Sequence, residues 1–151
     1  MKSKRIVIII LIILAGLIVW FGFFKVRTAV APVEESKITY VNASIDLIQV
    51  TLPFPDAVTG KEFKVVGRAR GYWFFEASFP VEVLDRNGNS LGIFVAQAKD
   101  EWMTENFVPF EVDIVVPQFY IGPAKLVLKK DNPSGLSEYD ASISFPINIE
   151  Y

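Results

Sequence analysis

Hydrophobic positions form one long uncharged block near the start of the 151-residue chain. Residues 6–24, IVIIILIILAGLIVWFGFF, contain no charged side chain. A helix of this length spans roughly 28 Å, close to the ~30 Å hydrocarbon core of a bilayer. The block is also longer than the roughly 7–15 apolar residues of a cleaved signal peptide. It therefore predicts a single transmembrane helix that acts as an uncleaved signal anchor.

Basic residues beside this block predict its orientation. Three lie before it and two lie after it, and an excess of Lys and Arg favours the cytoplasmic side. Residues 1–5 are therefore expected to form a cytoplasmic tail, and residues 25–44, which show no periodicity, a flexible tether. The rest of the chain is expected outside the cytoplasm, held at the membrane by one span.

From residue 45 onward, apolar and polar positions alternate in short runs. A period of two is typical of half-buried strands, and no sustained period of 3.6 is present. Seven strands are predicted, near residues 45–52, 63–69, 74–84, 91–98, 107–116, 124–130 and 142–151. Short strands separated by turn residues predict an all-β domain, an immunoglobulin-like β-sandwich over residues 45–151.

The third predicted strand lies in an aromatic stretch, RGYWFFEASFP at residues 70–80. Phe75 and Phe79 are in step with Val81 and Val83, so they are expected in the core, and Phe74 lies on the opposite face. Rings of this size dominate the core of a small domain. The stretch is therefore expected to be mainly structural.

Composition excludes several kinds of chemistry. The chain contains no Cys and no His, so disulfides, thiolate nucleophiles, His-dependent triads and Cys or His zinc sites are excluded. Beyond residue 27 there are 10 basic and 17 acidic residues, a net charge of about −7. This sign disfavours nucleic acid and polyanionic polymers as partners. We expect no bound cofactor or metal.

Acidic residues do not form a convincing catalytic site. Glu76 and Glu82 are six residues apart, roughly 20 Å along one strand, whereas glycoside hydrolysis needs two carboxylates within about 5–9.5 Å. Pairing of Glu76 with Glu111 or Asp113 is conceivable but has no support in the pattern. We expect instead that Glu76 forms an ion pair with an arginine of the neighbouring strand, Arg68 or Arg70. The protein is predicted not to be an enzyme.

Asp85, Asn87 and Asn89 alternate like the first ligands of a calcium loop. The twelfth position of such a loop should be Glu, and here it is Ala96. The Asn87-Gly88 pair between alternating apolar runs instead indicates a hairpin turn.

Several motifs carry a family resemblance. They include Val65-x-Gly67-x-Ala69, the segment FEASFPV at residues 75–81 and the segment KDNPSG at residues 130–135. Together with their order, they resemble the bacterial spore-germination immunoglobulin-like domain family over roughly residues 46–151. The resemblance implies an extracytoplasmic β-sandwich without enzymatic activity. It also places the chain in a bacterial cell envelope.

Two connections are the candidate binding loops, because loops on a rigid sandwich commonly carry binding residues. One contains Trp102 and Met103, and the other contains Asn132 and Ser134. The structural alternative is that Trp102 covers the edge of the core and that residues 132–135 form an ordinary turn. Tyr72, Trp73 and Phe74, at the entry to the third strand, are expected to cap one end of the sandwich. The functional alternative is an exposed aromatic patch, which makes Trp73 a further candidate. We predict a membrane-anchored, non-enzymatic interaction module that binds an envelope protein. The alternative is a cell-wall carbohydrate-binding module in which Trp73 or Trp102 stacks on a sugar.

Overall fold

A computed structural model of the protein describes residues 37–151. The predicted tail at residues 1–5, the predicted transmembrane helix at 6–24 and the tether up to residue 36 lie outside the described residues. Among residues 37–151, no helix has the length and apolar character needed to cross a bilayer.

The described residues form nine strands and two short 3₁₀ turns. The strands are β1 (Thr39–Val41), β2 (Ile48–Leu52), β3 (Val58–Thr59), β4 (Glu62–Arg70), β5 (Ser78–Asp85), β6 (Ser90–Ala98), β7 (Phe107–Val115), β8 (Gly122–Lys129) and β9 (Ser142–Ile149). The 3₁₀ turns are Gly71–Trp73 and Ser137–Tyr139. All seven predicted strands are present, and β1 and β3 are additional.

The strands belong to one hydrogen-bonded sheet that curls on itself. Their order is β1-β9-β8-β5-β6-β7-β4-β2, with every neighbouring pair antiparallel. The short strand β3 pairs parallel with β9. Strand β6 joins the two halves, because it pairs along its length with β5 but pairs with β7 only at Gln97 and Ala98.

The two halves of the sheet face each other across one hydrophobic core. Phe79 on β5 and Phe110 on β7 are not on neighbouring strands, yet their ring centroids lie 4.9 Å apart in an edge-to-face arrangement. The core also takes buried residues from β4 in one half and from β8 and β9 in the other. Face-to-face packing of this kind gives the predicted sandwich-like, immunoglobulin-like architecture.

Strand β1 corrects the predicted domain boundary. Thr39, Tyr40 and Val41 pair with Ser144, Ile143 and Ser142 of β9, so the segment belongs to the sheet and not to a tether. Ile38 and Tyr40 pack against the core. Burial raises the pKa of the Tyr40 hydroxyl. The folded domain therefore begins before residue 45.

Phe75 corrects the predicted core. Its side chain is 42% exposed, whereas Phe74 is only 4% exposed and packs edge-to-face on Phe79. The reason is that β5 begins at Ser78, and the residues before it form a tight turn. Phe75 and Ser78 exchange two backbone hydrogen bonds of 3.0 Å across this turn. The alternation of β5 therefore does not continue back to Phe75.

Candidate functional site

Four loops meet at one end of the sandwich. Arg70 at the end of β4 lies opposite Phe107 at the start of β7, and a backbone hydrogen bond from Asp131 to Trp73 brings the β8–β9 connection to the same end. We name the connections loop A (residues 42–47), loop B (71–77), loop C (99–106) and loop D (130–141). Loops C and D contain four of the candidate residues predicted from the sequence, and loop B contains the fifth, Trp73.

Loop B locks the neighbouring loops into one surface. The backbone N–H of Gly71 donates to the carbonyl of Asn106 in loop C, and the N–H of Asp131 in loop D donates to the carbonyl of Trp73, both at 3.1 Å. A Cβ on Gly71 would lie 2.0 Å from the carbonyl oxygen of Thr104. Only glycine permits this close approach of loops B and C.

Arg70 fastens loops A and C to the end of β4. Its guanidinium donates to the backbone oxygens of Asp46 and Glu105, at 3.0 and 3.2 Å. The same group lies 4.1 Å from the centroid of the Phe107 ring, a cation–π contact. A shallow depression of about 420 Å³ lies beside Arg70, with Tyr72 on its wall.

The expected ion pair of Glu76 with an arginine is wrong. Arg68 donates to the side-chain oxygen of Gln49 at 2.8 Å, and Arg70 is engaged as described above. No salt bridge joins Glu76 to either arginine within residues 37–151. The physical reason is again the turn, since Glu76 has φ 49° and Ala77 has φ 62°, so neither continues the strand. Positive φ at both central residues is the backbone of a type I′ turn.

The candidate residues of loop C are at the surface, but Trp73 is not. Met103 is 74% exposed, and Trp102 is half-buried, with part of its ring packed against the core. Trp73 is 0% exposed and its ring contacts Phe79 at a centroid distance of 6.5 Å. Trp73 therefore caps one end of the core, as expected, because the 3₁₀ turn directs it inward. The alternative that placed it in an exposed aromatic patch is wrong.

Asn132 and Ser134 organise loop D. The Asn132 amide donates to the backbone oxygen of Leu136 and to the carboxylate of Asp140, both at 2.8 Å. The Ser134 hydroxyl donates to the Asn132 side-chain oxygen at 2.5 Å. Both side chains therefore stabilise the conformation of loop D. Leu136 and Asp140, to which the Asn132 amide donates, are exposed.

Exposed apolar side chains at this end were not all expected from the sequence. Loops A, B, C and D together present six large ones: Ile45, Tyr72, Phe75, Met103, Leu136 and Tyr139. Single exposed apolar residues are ordinary, but a group on the loops of one end resembles the apolar part of a binding surface. For Tyr72, Met103, Leu136 and Tyr139 the available signal was that they interrupt polar segments outside the predicted strands. Ile45 and Phe75 lay within predicted strands and gave no such signal.

The same end carries eight of the 15 acidic residues in the part of the chain that the structure describes. The four loops contain eight acidic residues and two lysines, and the acidic ones are Asp46, Glu76, Asp100, Glu101, Glu105, Asp131, Glu138 and Asp140. None of the eight takes part in a salt bridge within the described part of the chain. One of the lysines, Lys99, pairs instead with Glu111 on β7 at 2.6 Å. We call this surface, made by loops A to D, the acidic end.

These carboxylates are spread over the surface. Among residues 37–151, no three acidic groups come close enough together to hold a metal ion. Two of them accept hydrogen bonds from nearby backbone N–H groups: Asp100 accepts from the N–H of Glu101 at 2.8 Å, and Glu101 accepts from the N–H of Met103 at 3.1 Å. The arrangement suits a partner with several separated positive charges.

The other acidic residues considered from the sequence are engaged elsewhere. Glu111 forms salt bridges with Lys99 and Lys64. These contacts, with the hydrogen bond from Lys99 as the largest cause, hold the pKa of its carboxyl below the usual value. Asp113 pairs with Lys64 at 3.0 Å. Asp85 lies at the opposite end, where it accepts from the amide and backbone of Asn89 and from the backbone of Asn87 in the predicted hairpin turn. These bonds lower the pKa of Asp85, with the Asn89 side chain as the largest cause.

The fold and this loop surface define an immunoglobulin-like module with a structured loop end. The model of a known family, the immunoglobulin-like domain of bacterial spore germination, matches residues 47–137. The chain belongs to this family, which confirms the resemblance seen in the motifs. No curated protein and no solved structure gave a significant match.

Proposed function

We propose that the protein is a membrane-anchored, non-enzymatic binding module of the bacterial envelope, and that the acidic end receives a partner protein with a basic surface. The observation that supports this most directly is the set of eight acidic residues on the four loops, none of them in a salt bridge within residues 37–151. Family membership supports a non-catalytic role related to that of spore-germination proteins.

Charge and apolar contact would act together at this surface. Uncompensated charge on one side of an interface raises the association rate with an oppositely charged partner and disfavours partners of the same sign. Tyr72, Phe75 and Met103 are exposed beside these charges. Aromatic residues and Met are enriched in the buried centre of protein interfaces. The charges would orient the partner, and the apolar side chains would provide the contact that holds it.

The surface is stiff, which favours binding. Loops B, C and D are joined by backbone hydrogen bonds, and Arg70 bridges loops A and C. A preorganised surface loses less conformational entropy when it binds. The predicted anchor at residues 6–24 would keep this surface in the envelope, outside the cytoplasm.

The test compares two sets of substitutions that remove the same charge. Asp100→Asn, Glu101→Gln and Glu105→Gln neutralise loop C while keeping hydrogen-bond acceptors. Glu62→Gln, Asp113→Asn and Glu150→Gln are the control set, all exposed and all outside the acidic end. The full chain, carrying an affinity tag, is incubated with solubilised envelope proteins and, separately, with purified peptidoglycan.

We expect the loop C set to lower the recovery of one specific basic envelope protein by about tenfold, as three interfacial charges worth about 0.5 kcal/mol each would give. The control set should change recovery by less than about twofold. Equal losses for both sets would contradict the proposal. Retention on peptidoglycan that the loop C set leaves unchanged would favour a carbohydrate-binding module.

A further inference from the structure

Within the part of the chain that the structure describes, strand β6 has an uncovered edge. Other edges of the described sheet are covered, irregular or charged: the outer edge of β9 is covered by β1 and β3, β2 has a register shift between Val50 and Leu52, and the part of β7 beyond its pairing with β6 carries Asp113. Strand β6 pairs with β7 only at Gln97 and Ala98. Its segment 90–96 therefore has a neighbour on one side only within residues 37–151.

The hydrogen-bonding groups on that edge follow from the register. The N–H of Ala98 donates to Ala77 on the β5 side, and the N–H of Lys99 donates to Pro109 on the β7 side, at 2.8 and 2.9 Å. Backbone groups alternate between the two sides along a strand. The N–H and C=O groups of Val95 and Ile93 therefore point away from β5, toward the open edge.

This edge lacks the usual protection against strand pairing. Native edge strands commonly carry charges or proline that prevent association. Residues 90–98, SLGIFVAQA, contain neither. Ile93 is 65% exposed and Val95 is 55% exposed, both β-branched residues on the outer face. The register shift between β5 and β6 lies at the hairpin end, so residues 92–98 keep a regular strand.

We propose that a second copy of this chain pairs with the β6 edge in antiparallel orientation, so that Ile93 of each copy lies opposite Val95 of the other. This register uses all four outward-pointing backbone groups of Ile93 and Val95 and closes with twofold symmetry. It also places two exposed β-branched side chains from each copy side by side, a favourable cross-strand combination.

Charge favours a second copy as the occupant. The described domain has 10 basic and 15 acidic residues, so two copies carry net charge of the same sign, but the segment 90–98 is uncharged and adds no repulsion. Antiparallel pairing also brings the two ends of β6 together. Arg86 lies just before β6, and Asp100 and Glu101 lie just after it, so opposite charges approach each other between copies.

The contact is small, and its strength depends on local concentration. Seven residues of strand bury less than the roughly 1,200 Å² typical of stable complexes. Pairing is therefore weak in dilute solution and is strengthened when chains are concentrated on one membrane. The inference does not depend on which partner binds the acidic end.

Cysteine cross-linking in lipid vesicles tests both the pairing and its register, because the natural chain has no cysteine. Full-length chains carrying Ile93→Cys and Val95→Cys, with tags of different size, are mixed and oxidised. Opposed residues of a hydrogen-bonded pair have Cα atoms about 5.5 Å apart, within the range of a disulfide. Each variant alone places its cysteines on a diagonal roughly 7–8 Å apart, which is less suitable.

We expect the mixture to give a mixed disulfide dimer in at least about fivefold higher yield than either variant alone, given this difference in distance. A mixture of Val58→Cys and Val115→Cys, similarly exposed positions away from β6, is the control and should give little dimer. About tenfold excess of wild-type chain should suppress the product by competition, whereas the same excess of the chain carrying Ile93→Lys and Val95→Lys should not. Equal dimer yields at the β6 and control positions would overturn the proposal. This holds even if the chains dimerise, because the contact would then lie in another segment.

Discussion

Two adjacent phenylalanines should differ sharply in their contribution to stability. Phe74 is 4% exposed and packs on Phe79 with ring centroids 5.2 Å apart, whereas Phe75 is 42% exposed on a turn. Removing a buried Phe side chain costs about 3–5 kcal/mol, and the lost ring contact is part of that cost. Phe75→Ala removes a ring that is buried only in part, so about 1 kcal/mol or less is expected.

Urea denaturation of residues 37–151, followed by circular dichroism, measures the difference. With a slope of about 2 kcal/mol/M, Phe74→Ala should lower the midpoint by about 2 M and Phe75→Ala by less than about 0.5 M. The two variants have the same composition, which makes each the control for the other. A larger loss for Phe75→Ala would show that the alternation of β5 extends through the turn, and the assignment of the core would be refuted.

Three further predictions concern the loops and the strand surface. Replacing Glu76-Ala77 by Asn-Gly should raise the free energy of unfolding by about 1 kcal/mol, because Asn and Gly tolerate positive φ; a lower urea midpoint would contradict the turn geometry. Gly71→Ala should lower the free energy of unfolding by about 3 kcal/mol or more in the same assay, since its Cβ would collide with the backbone of loop C. Gly135→Ala, which has open space around it, should lower it by only about 1 kcal/mol. Similar losses for the two variants would refute the close approach of loops B and C. The hydrogen bond from Lys129, and then that from Ser90, lower the pKa of Glu82, so its stabilising effect is complete above the unfolded pKa of about 4.3 and is lost as pH falls through the lower folded value. The melting temperature of Glu82→Gln should therefore fall less steeply between about pH 6 and 3 than that of the wild type. Parallel curves of melting temperature against pH would count against this contact.

The strands were predictable because their alternation extends over many residues. The regular runs now seen as β4, β6, β7, β8 and β9 agree with the sequence pattern to within about two residues at each end. Strands β1 and β3, with three and two residues, are too short for a period to be visible. They form because they pair with the outer edge of β9. That edge is created only by the tertiary fold, so no local sequence pattern predicts these strands.

The start of β5 shows a different limit of pattern reading. Alternation continues through Phe75 and Ala77 in the sequence, but two residues with positive φ turn the chain before Ser78. Neither Glu nor Ala is a usual residue for that conformation, so no turn signal was present. The same turn removed Glu76 from the reach of the arginines and so altered the predicted ion pair.

The candidate site was predicted in part. Loops C and D were identified because Trp102, Met103, Asn132 and Ser134 lie in turn-rich connections. Their position at the same end follows from the strand order, which a single sequence does not provide. The contribution of loop A, the exposed Tyr72 and Phe75 of loop B, and the concentration of acidic residues without a salt bridge within residues 37–151 emerged only from the structure.

The most direct test of the proposed function is the salt dependence of partner binding by the full-length chain, with and without the three neutral substitutions in loop C. If the acidic end receives a basic partner, wild-type binding should weaken markedly between about 50 and 300 mM salt, since screening shortens the range of charge attraction. The loop C variant should bind more weakly and show a smaller salt dependence. Equal affinity and equal salt dependence of the two chains would contradict the account, because the partner would then not interact with the charges of the acidic end.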